Sequence, residues 1–289
     1  MRRRQFTIGL FCGMLSPISM ANLKPEASIS SMNSFKTTTS LWPYPKLIAH
    51  RGGGKLAPEN TLAAMRAGHQ YGYKMVEYDV KLSHDLVPIL MHDSTLERTT
   101  NADGLASERS LTALLQLDAG SWHSQDFAGE KIPTLEQIAR YTQEKGIASN
   151  IEIKPTPGDE RRTAERIANE AARLWAGQPI PPLLSSFSLD SLAAARAVQP
   201  DLPMGWITSE LKEGWQTAIA DLNLVSLHLR HDKVTPELIS QIHRMGLRLA
   251  VWTVNDPLKA EELLNWGVDA VITDALNTIP PDSETSKRV

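Results

Sequence analysis

Short apolar runs alternate with polar turns and amphipathic stretches along the chain from Leu47 onward. Buried strands are predicted at Leu47–Ala49, Met75–Val80, Ile151–Ile153, Leu183–Ser186, Met204–Ile207, Leu224–Leu227, Leu249–Thr253 and Ala270–Thr273. Helical patterns lie between several of them, at Asn60–Tyr71, Glu160–Trp175, Leu189–Val198, near Trp215 and at Pro257–Trp266. Eight strands with helical connections are typical of the α/β class and of a closed (β/α)8 TIM barrel.

One further apolar run, Val87–His92, follows the second predicted strand too closely for a parallel crossover. Only Lys81–Leu86 separates the two, and a crossover needs about a dozen residues. We therefore expect a hairpin, and an insertion from Lys81 to about Ile132 on the top face of the barrel. Its polar stretch, Thr99–Ser110, favours a functional loop.

The first 41 residues differ from the rest and allow two interpretations. Three arginines precede a mostly apolar run, Phe6–Met20, and Ser19-Met20-Ala21 resembles a cleavage site, which is the layout of an export signal. If residues 1–21 are such a signal, the protein is periplasmic or secreted. Alternatively the protein starts at Met32 and stays in the cytoplasm. We expect an extension over residues 1–41, the barrel over 42–280 and a tail over 281–289.

The bulk properties exclude several classes of function. The chain has 289 residues, of which 42% are hydrophobic and 22% charged, and a formal net charge of −3. No basic block follows the first residues, so a nucleic-acid partner is not expected. The apolar run near the start is too short for stable insertion into a membrane. Cys12 is the only cysteine, which excludes an internal disulfide and a CxxC site. Nothing favours a particular oligomeric state.

Acidic side chains recur at spacings that bring them together. Glu77 and Asp79 are two residues apart on one predicted strand and therefore share a face, and Glu152 and Lys154 repeat this spacing on the next. The carboxyl ends of barrel strands form one rim, so we expect the three carboxylates to converge there. Their repulsion would be relieved by a hard divalent cation, which prefers oxygen ligands. The alternatives are a polar strand face for the first pair and a buried ion pair for the second.

Histidines and basic residues also follow strand ends. His50 and His92 are candidates for a proton donor and acceptor, since imidazole titrates in the range that ester hydrolysis needs. Taken alone, each histidine is more often structural. Arg51 and Lys154 are candidates for binding an anion such as a phosphate. The run Gly52–Gly54 would let the backbone approach an anion, although it is not a Walker or Rossmann loop.

An ordered series of motifs extends from Tyr44 to Ile279. They are His50-Arg51-Gly52, Pro58-Glu59-Asn60-Thr61, Glu77-x-Asp79-Val80, His92-Asp93 with Leu96-x-Arg98-Thr99-Thr100, Ile132-Pro133-Thr134-Leu135, Glu152-Ile153-Lys154-Pro155, Ser185-Ser186-Phe187, Val251–Asn255 and Ile272-Thr273-Asp274. Together they resemble the glycerophosphodiester phosphodiesterase family. The stretch from Trp42 to Ala63 is most similar to bacterial cytosolic members linked to glycerol-3-phosphate uptake.

The resemblance implies a TIM barrel with an insertion, and metal-dependent hydrolysis of small glycerophosphodiesters to sn-glycerol 3-phosphate and an alcohol. It implies one divalent ion, Mg²⁺ before Ca²⁺ or Mn²⁺. The residue roles carried over are metal ligands at Glu77, Asp79 and Glu152, catalytic histidines at His50 and His92, phosphate contacts at Arg51 and Lys154, a glutamate near the site at Glu59, and pocket or core positions at Phe187 and Trp252.

Two other functions stay open on the same fold. One is a phospholipase-type phosphodiesterase acting on intact lipids, and the other is a binding protein without catalysis. The second would be expected to lack a histidine or carboxylate that this chain keeps. The hairpin departs from the family, which usually has Asp-Gly where this chain has Asp85-Leu86. Because leucine disfavours a left-handed turn position, we expect that turn to be reshaped.

Overall fold

The computed structural model describes residues 42–281. The signal-like segment, the alternative start at Met32 and the tail from 282 onward lie outside the described residues. Within the described range the strands are β1 (Leu47–Ala49), β2 (Met75–Leu82), β3 (Pro88–Leu90), β4 (Ala148–Ile153), β5 (Leu183–Ser186), β6 (Met204–Thr208), β7 (Ser226–Arg230), β8 (Arg248–Trp252) and β9 (Ala270–Thr273).

Helices follow most of the strands. They are α1 (Leu62–Gln70), α2 (Leu111–Leu114), α3 (Leu135–Glu144), α4 (Glu160–Leu174), α5 (Leu189–Val198), α6 (Trp215–Asp221), α7 (Pro236–Arg244) and α8 (Pro257–Trp266). Three of them, α2, α3 and α7, are absent from the sequence prediction. The two longer ones carry start signals: Thr134 and Gln137 form a capping box, and Thr235 caps a helix that opens with Pro236.

The parallel strands close into a barrel. From β4 to β9 each strand pairs with the next, β2 pairs with β4, and β1 pairs with both β9 and β2. The predicted (β/α)8 TIM barrel is therefore confirmed. Strand β3 lies outside the barrel and pairs antiparallel with the end of β2, with Val80 opposite Leu90, so the expected hairpin is present. No helix among residues 42–281 is long and apolar enough to cross a membrane.

The predicted strand Leu224–Leu227 is wrong at both ends, since β7 runs from Ser226 to Arg230. Asn223 has a left-handed φ of 47°, and the Leu224 amide still bonds to Ile219 of the preceding helix. Leu224 therefore belongs to the turn, whereas the Val225 backbone already bonds to Met204 of β6 and Arg248 of β8. His228, one residue past the predicted end, is fully buried within β7.

The hairpin turn places Leu86 in the left-handed conformation that leucine disfavours. Its φ is 61°, a value that glycine adopts with least strain. Neighbouring contacts hold the turn in place: Asp85 accepts hydrogen bonds from Ser83 Oγ at 2.6 Å and from the Leu111 amide at 2.8 Å. Arg166 Nε donates to the Leu86 carbonyl at 3.1 Å.

Apolar side chains fill three regions. The largest lies between the barrel wall and its helices, and a smaller one fills the lower barrel interior, with Ile48, Met75 and Leu183 among its members. The insertion has its own small core, which includes Ile89, Leu96 and Leu114. Because this core is continuous with β3, the loop that carries His92 is held against the rim of the barrel.

Candidate active site

The three predicted metal ligands converge at the rim. Glu77 and Asp79 lie on β2, and Glu152 lies directly opposite Asp79 on β4. Each offers a ligand oxygen within 4.8 Å of the others, and all three side chains are buried. Glu77 Oε1 has no hydrogen-bond partner among the described residues. A buried, unpartnered carboxylate oxygen facing two other carboxylates fits a hard divalent cation.

The electrostatics of the cluster agree with that fit. Burial, together with the charge of Asp79, raises the pKa of Glu77 to about 8 and the pKa of Glu152 to about 7. Burial would also raise the pKa of Asp79, but the positive charges of Arg51, His92 and Lys154 outweigh it, and the net shift is downward. Without an added cation the three carboxylates therefore do not all ionise readily near neutral pH.

His50 is held by a carboxylate that sequence reasoning did not assign. The pairing of β1 with β9 brings His50 beside Asp274, and His50 Nδ1 lies 2.6 Å from Asp274 Oδ1. Asn255 donates to the other oxygen of Asp274 at 3.1 Å. His50 Nε2 lies 3.8 Å from Glu77 Oε2. Burial alone would lower the pKa of His50, but the bond to Asp274 and the charge of Glu77 raise it overall.

The glycines after His50 have a packing role. An ideal Cβ at Gly54 would lie 2.2 Å from the Asp274 carbonyl oxygen, so only glycine allows this close approach of the two loops. Arg51 itself has a left-handed φ of 50°, which turns its amide toward the cluster, where it donates to Glu77 Oε2 at 3.0 Å. The interpretation of the glycines as an anion-binding segment stays a prediction.

His92 lies on the opposite side of the cluster. Its Nδ1 is 2.7 Å from Asp93 Oδ1, and its Nε2 is 3.3 Å from Lys154 Nζ. Lys154 also bonds to Glu152 at 2.9 Å. Burial lowers the pKa of His92, and the neighbouring charges of Arg51 and Lys154 add to this, although Asp79 opposes them.

Arg51 and Glu59 form a pair above the cluster. Arg51 Nη1 lies 2.7 Å from Glu59 Oε1, and Arg51 Nε lies 3.5 Å from Asp79 Oδ2. Asn60 fixes Asp79 from both sides, since its amide nitrogen donates to Oδ2 at 2.8 Å and its carbonyl oxygen accepts from the Asp79 amide at 3.0 Å. Asn60 belongs to the motif Pro58-Glu59-Asn60-Thr61, but its hydrogen bonds to Asp79 were not predicted from the sequence.

Phe187 and Trp252 form one wall of a cavity beside these groups. Their rings meet edge to face at 5.4 Å. Phe187 is 45% exposed, and Lys154 Nζ lies 5.6 Å from its ring centre. Trp252 is half-buried and donates its indole N–H to the His228 carbonyl at 2.9 Å. Both side chains therefore line the pocket, and Trp252 also belongs to the barrel interior.

The fold and the site together define a class, the TIM-barrel phosphodiesterases with an acidic cluster able to hold a metal. The model of the "Glycerophosphoryl diester phosphodiesterase family" matches residues 50–278. The chain belongs to this family and is a glycerophosphodiester phosphodiesterase, as the sequence motifs predicted.

Similar proteins align with nearly all of the residues that the structure describes. A glycerophosphodiester phosphodiesterase of Caldanaerobacter subterraneus subsp. tengcongensis is 34% identical over 240 residues, which are 81% of this chain and 95% of that protein. A Bacillus subtilis glycerophosphodiester phosphodiesterase is 27% identical and covers 93% of this chain and 92% of its own length. The structure of an Oleispira antarctica phosphodiesterase in complex with the product sn-glycerol-3-phosphate is 37% identical. It superposes with a TM-score of 0.77 over 82% of this chain and 95% of that one.

Proposed function

We propose that the protein is a metal-dependent enzyme that hydrolyses small glycerophosphodiesters to sn-glycerol 3-phosphate and an alcohol. The observation that carries the proposal is one cluster of three buried carboxylates, bordered by two histidines that each have an aspartate partner and by two basic side chains. The Oleispira antarctica relative, whose structure holds sn-glycerol-3-phosphate, supports the identity of the product. We assign this activity to residues 42–280, with the insertion at about 81–132 contributing His92.

The acidic cluster would hold one divalent ion through Glu77, Asp79 and Glu152. An all-oxygen set of buried carboxylates favours Mg²⁺, with Ca²⁺ and Mn²⁺ as alternatives. When bound, such an ion offsets the charge of the phosphodiester and orients its oxygens. Arg51 and Lys154 border the cluster and would bind the phosphate from two sides, while Glu59 keeps the Arg51 guanidinium in place.

The two histidines would transfer the protons. A carboxylate only accepts hydrogen bonds, so each histidine carries its hydrogen on Nδ1 and presents Nε2 to the cavity. One imidazole would take the proton of the attacking hydroxyl, which belongs to the glycerol or to a water molecule. The other would protonate the departing alcohol as its bond to phosphorus breaks.

The histidine assignment is tested by replacement. His50→Ala and His92→Ala should each fold normally and lose turnover, because the reaction needs both a proton acceptor and a proton donor. His243→Ala is a matched control, since His243 also pairs with an aspartate at 2.7 Å but does not line the cavity. Near-normal turnover in either active-site variant would contradict the proposed role of that histidine.

Substrate and metal are tested in one series of assays. EDTA should abolish release of glycerol 3-phosphate, and addition of Mg²⁺, Mn²⁺ or Ca²⁺ in turn identifies the ion. Glycerophosphodiesters with different head groups should be hydrolysed and an intact phospholipid should not. Faster cleavage of the intact lipid would instead identify a phospholipase-type enzyme. Full activity after removal of metal would exclude metal dependence.

The compartment depends on residues 1–41. We propose a start at Met32 and a cytoplasmic location. Sequencing the N-terminus of the protein purified from its host tests this, because cleavage after about residue 21 would instead indicate export.

A further inference from the structure

Seven side chains at the rim of the barrel form a closed ring of polar contacts, which we term the charge ring. In order around the ring they are Asp79, Arg51, Glu59, Arg98, Asp93, His92 and Lys154. Acidic and basic groups alternate along it except where His92 meets Lys154. That break lies beside the acidic cluster, where Lys154 Nζ faces His92 Nε2 at 3.3 Å without an acid between them.

Arg98 is the ring member that the proposed function leaves without a role. It comes from the insertion and makes three hydrogen bonds to two carboxylates. Its Nε donates to Asp93 Oδ2 at 2.5 Å, and its two terminal nitrogens donate to Glu59 at 2.7 and 2.8 Å. The bidentate pair with Glu59 has the geometry that only a planar guanidinium provides.

Each carboxylate bound by Arg98 holds a proposed functional group with its remaining contact. Asp93 uses one oxygen for Arg98 and the other for His92 Nδ1. Glu59 bonds to Arg98 and also to Arg51 Nη1. Arg98 therefore connects a proton-transfer group on the insertion to a phosphate contact on the barrel, although it touches neither.

The Arg98 side chain is 44% exposed. A single ion pair at such a position contributes about 0–1 kcal/mol to folding, and a bidentate pair within a network contributes more. Arg98 also has a geometric effect, because the side chain of Asp93 bonds, among the described residues, to His92 and Arg98 alone. A small misplacement of a reacting group reduces turnover by up to about 100-fold.

We propose that Arg98 is a positioning residue, which locks the His92 ring through Asp93 and the Arg51 guanidinium through Glu59 into one rigid frame. The inference rests on the proposed function, since it requires His92 to act in proton transfer. Lysine would not replace Arg98, because a single ammonium cannot bond to two carboxylates in this fork geometry.

The experiment measures kcat and KM of the full-length, metal-loaded protein on a glycerophosphodiester. Arg98→Ala and Arg98→Lys should each lower kcat by about 10- to 100-fold, with a smaller rise in KM and an unchanged circular-dichroism spectrum. Guanidinium chloride at millimolar concentration should restore part of the Arg98→Ala rate, and sodium chloride at the same ionic strength should not. Arg109→Ala is the matched control, because Arg109 is an exposed arginine of the same insertion whose side chain, among the described residues, bonds to the Asp103 carbonyl and to no carboxylate. It should keep the parent rate.

A double-mutant cycle identifies the route. If Arg98 acts through Asp93, Arg98→Ala combined with Asp93→Asn should lose clearly less than the product of the two single losses. Fully multiplicative losses, or near-parent kcat in Arg98→Lys, would overturn the proposal. The proposal would also be overturned if the loss of activity in Arg98→Ala follows a fall in thermal stability and guanidinium restores none of that activity. His92→Ala separates the proposed function from this inference. An active His92→Ala would contradict the proposed function. An inactive His92→Ala together with a fully active Arg98→Ala would contradict this inference alone.

Discussion

His50 Nδ1 lies 2.6 Å from Asp274 Oδ1, and this contact joins the first barrel strand to the last. Asn255 binds the other side of Asp274, since it donates to Oδ2 and accepts from the Asp274 amide at 2.8 Å. The carboxylate therefore has one orientation available. It selects the His50 tautomer whose Nε2 faces the acidic cluster, as second partners of reactive histidines generally do.

Replacement of Asp274 by asparagine should disfavour this tautomer of His50 while keeping a side chain of similar shape at position 274. The asparagine amide can donate to His50, which would move the hydrogen from Nδ1 to Nε2 and remove the lone pair from the cavity. We expect kcat to fall by about 100-fold or more, as measured by release of glycerol 3-phosphate under saturating substrate.

Asp269→Asn is the control for this variant. Asp269 also binds a histidine, with His243 Nε2 at 2.7 Å, and Arg248 at 3.0 Å, but this pair does not line the cavity. The substitution should lower the melting temperature and leave kcat unchanged. Equal kcat losses in both variants would indicate that the Asp274 effect is one of stability.

Much of the barrel and of the acidic cluster follows from local pattern. The two-residue spacing of Glu77 and Asp79 places both on one face, and the common rim of a barrel brings Glu152 to them, as the register of β2 and β4 shows. The contact of His50 with Asp274 does not follow, because the residues are 224 apart in sequence and meet only on closure of the barrel. The contacts of Arg98 depend on an irregular loop, for which no periodic pattern exists.

Two other differences between the sequence prediction and the structure concern strand β7. At β7 the apolar pair Leu224 and Val225 resembles a strand, but helix α6 ends in a turn that includes Leu224. His228 lies just past the predicted end of this strand, yet the barrel interior accommodates it beside Ser226 at 3.1 Å. A local turn decides the first position, and burial in the barrel interior decides the second.

The metal-free protein should lose stability as the pH rises. Glu77 and Glu152 have folded pKa values of about 8 and about 7, both above the ordinary value of 4.5. The folded state therefore binds more protons than the unfolded state between about pH 4.5 and pH 8, and stability falls across that window. Mg²⁺ should reverse the fall, because it favours the ionised carboxylates. Thermal melts in EDTA and in Mg²⁺ across this range measure the effect.

Glu152→Gln provides the control for the metal experiment. It removes one of the charges while keeping the shape of the side chain, so the metal-free protein should show a smaller loss of stability with pH. Mg²⁺ should then raise its melting temperature much less than it raises that of the parent protein. An equal rise in both would place the bound ion elsewhere.

Leu86 offers a test of backbone strain. Its φ of 61° is left-handed, a conformation that costs a residue with a Cβ about 1 kcal/mol more than glycine. Leu86→Gly and Leu86→Ala both remove the leucine side chain, but only the first removes the strain. We expect the glycine variant to have the higher free energy of unfolding, by about 1 kcal/mol, in urea denaturation.

At Leu105 the order should reverse. This leucine lies in the same insertion but has a φ of −78°, so glycine gains no relief and adds conformational freedom to the unfolded chain. Leu105→Gly should therefore be less stable than Leu105→Ala. The same order at both positions would contradict the left-handed turn.

Phe187 and Trp252 share the cavity wall but should respond differently to truncation. Phe187 is 45% exposed, so Phe187→Ala removes little buried surface and should change the melting temperature only slightly. It should raise KM several-fold, because it opens the wall beside Lys154, whose Nζ lies 5.6 Å from the ring centre. Trp252→Ala should instead lower the melting temperature clearly, since it leaves a gap in the barrel and frees the His228 carbonyl.

Ile180→Ala serves as the surface control for Phe187→Ala. Ile180 is 37% exposed and precedes β5 at the opposite end of the barrel. Its truncation should leave both KM and kcat unchanged. If Phe187→Ala behaves in the same way, substrate does not contact that wall, and the aromatic pair serves only the packing of the rim. A rise in KM confined to Phe187→Ala, with kcat preserved, would indicate a contact made equally in the bound substrate and in the transition state.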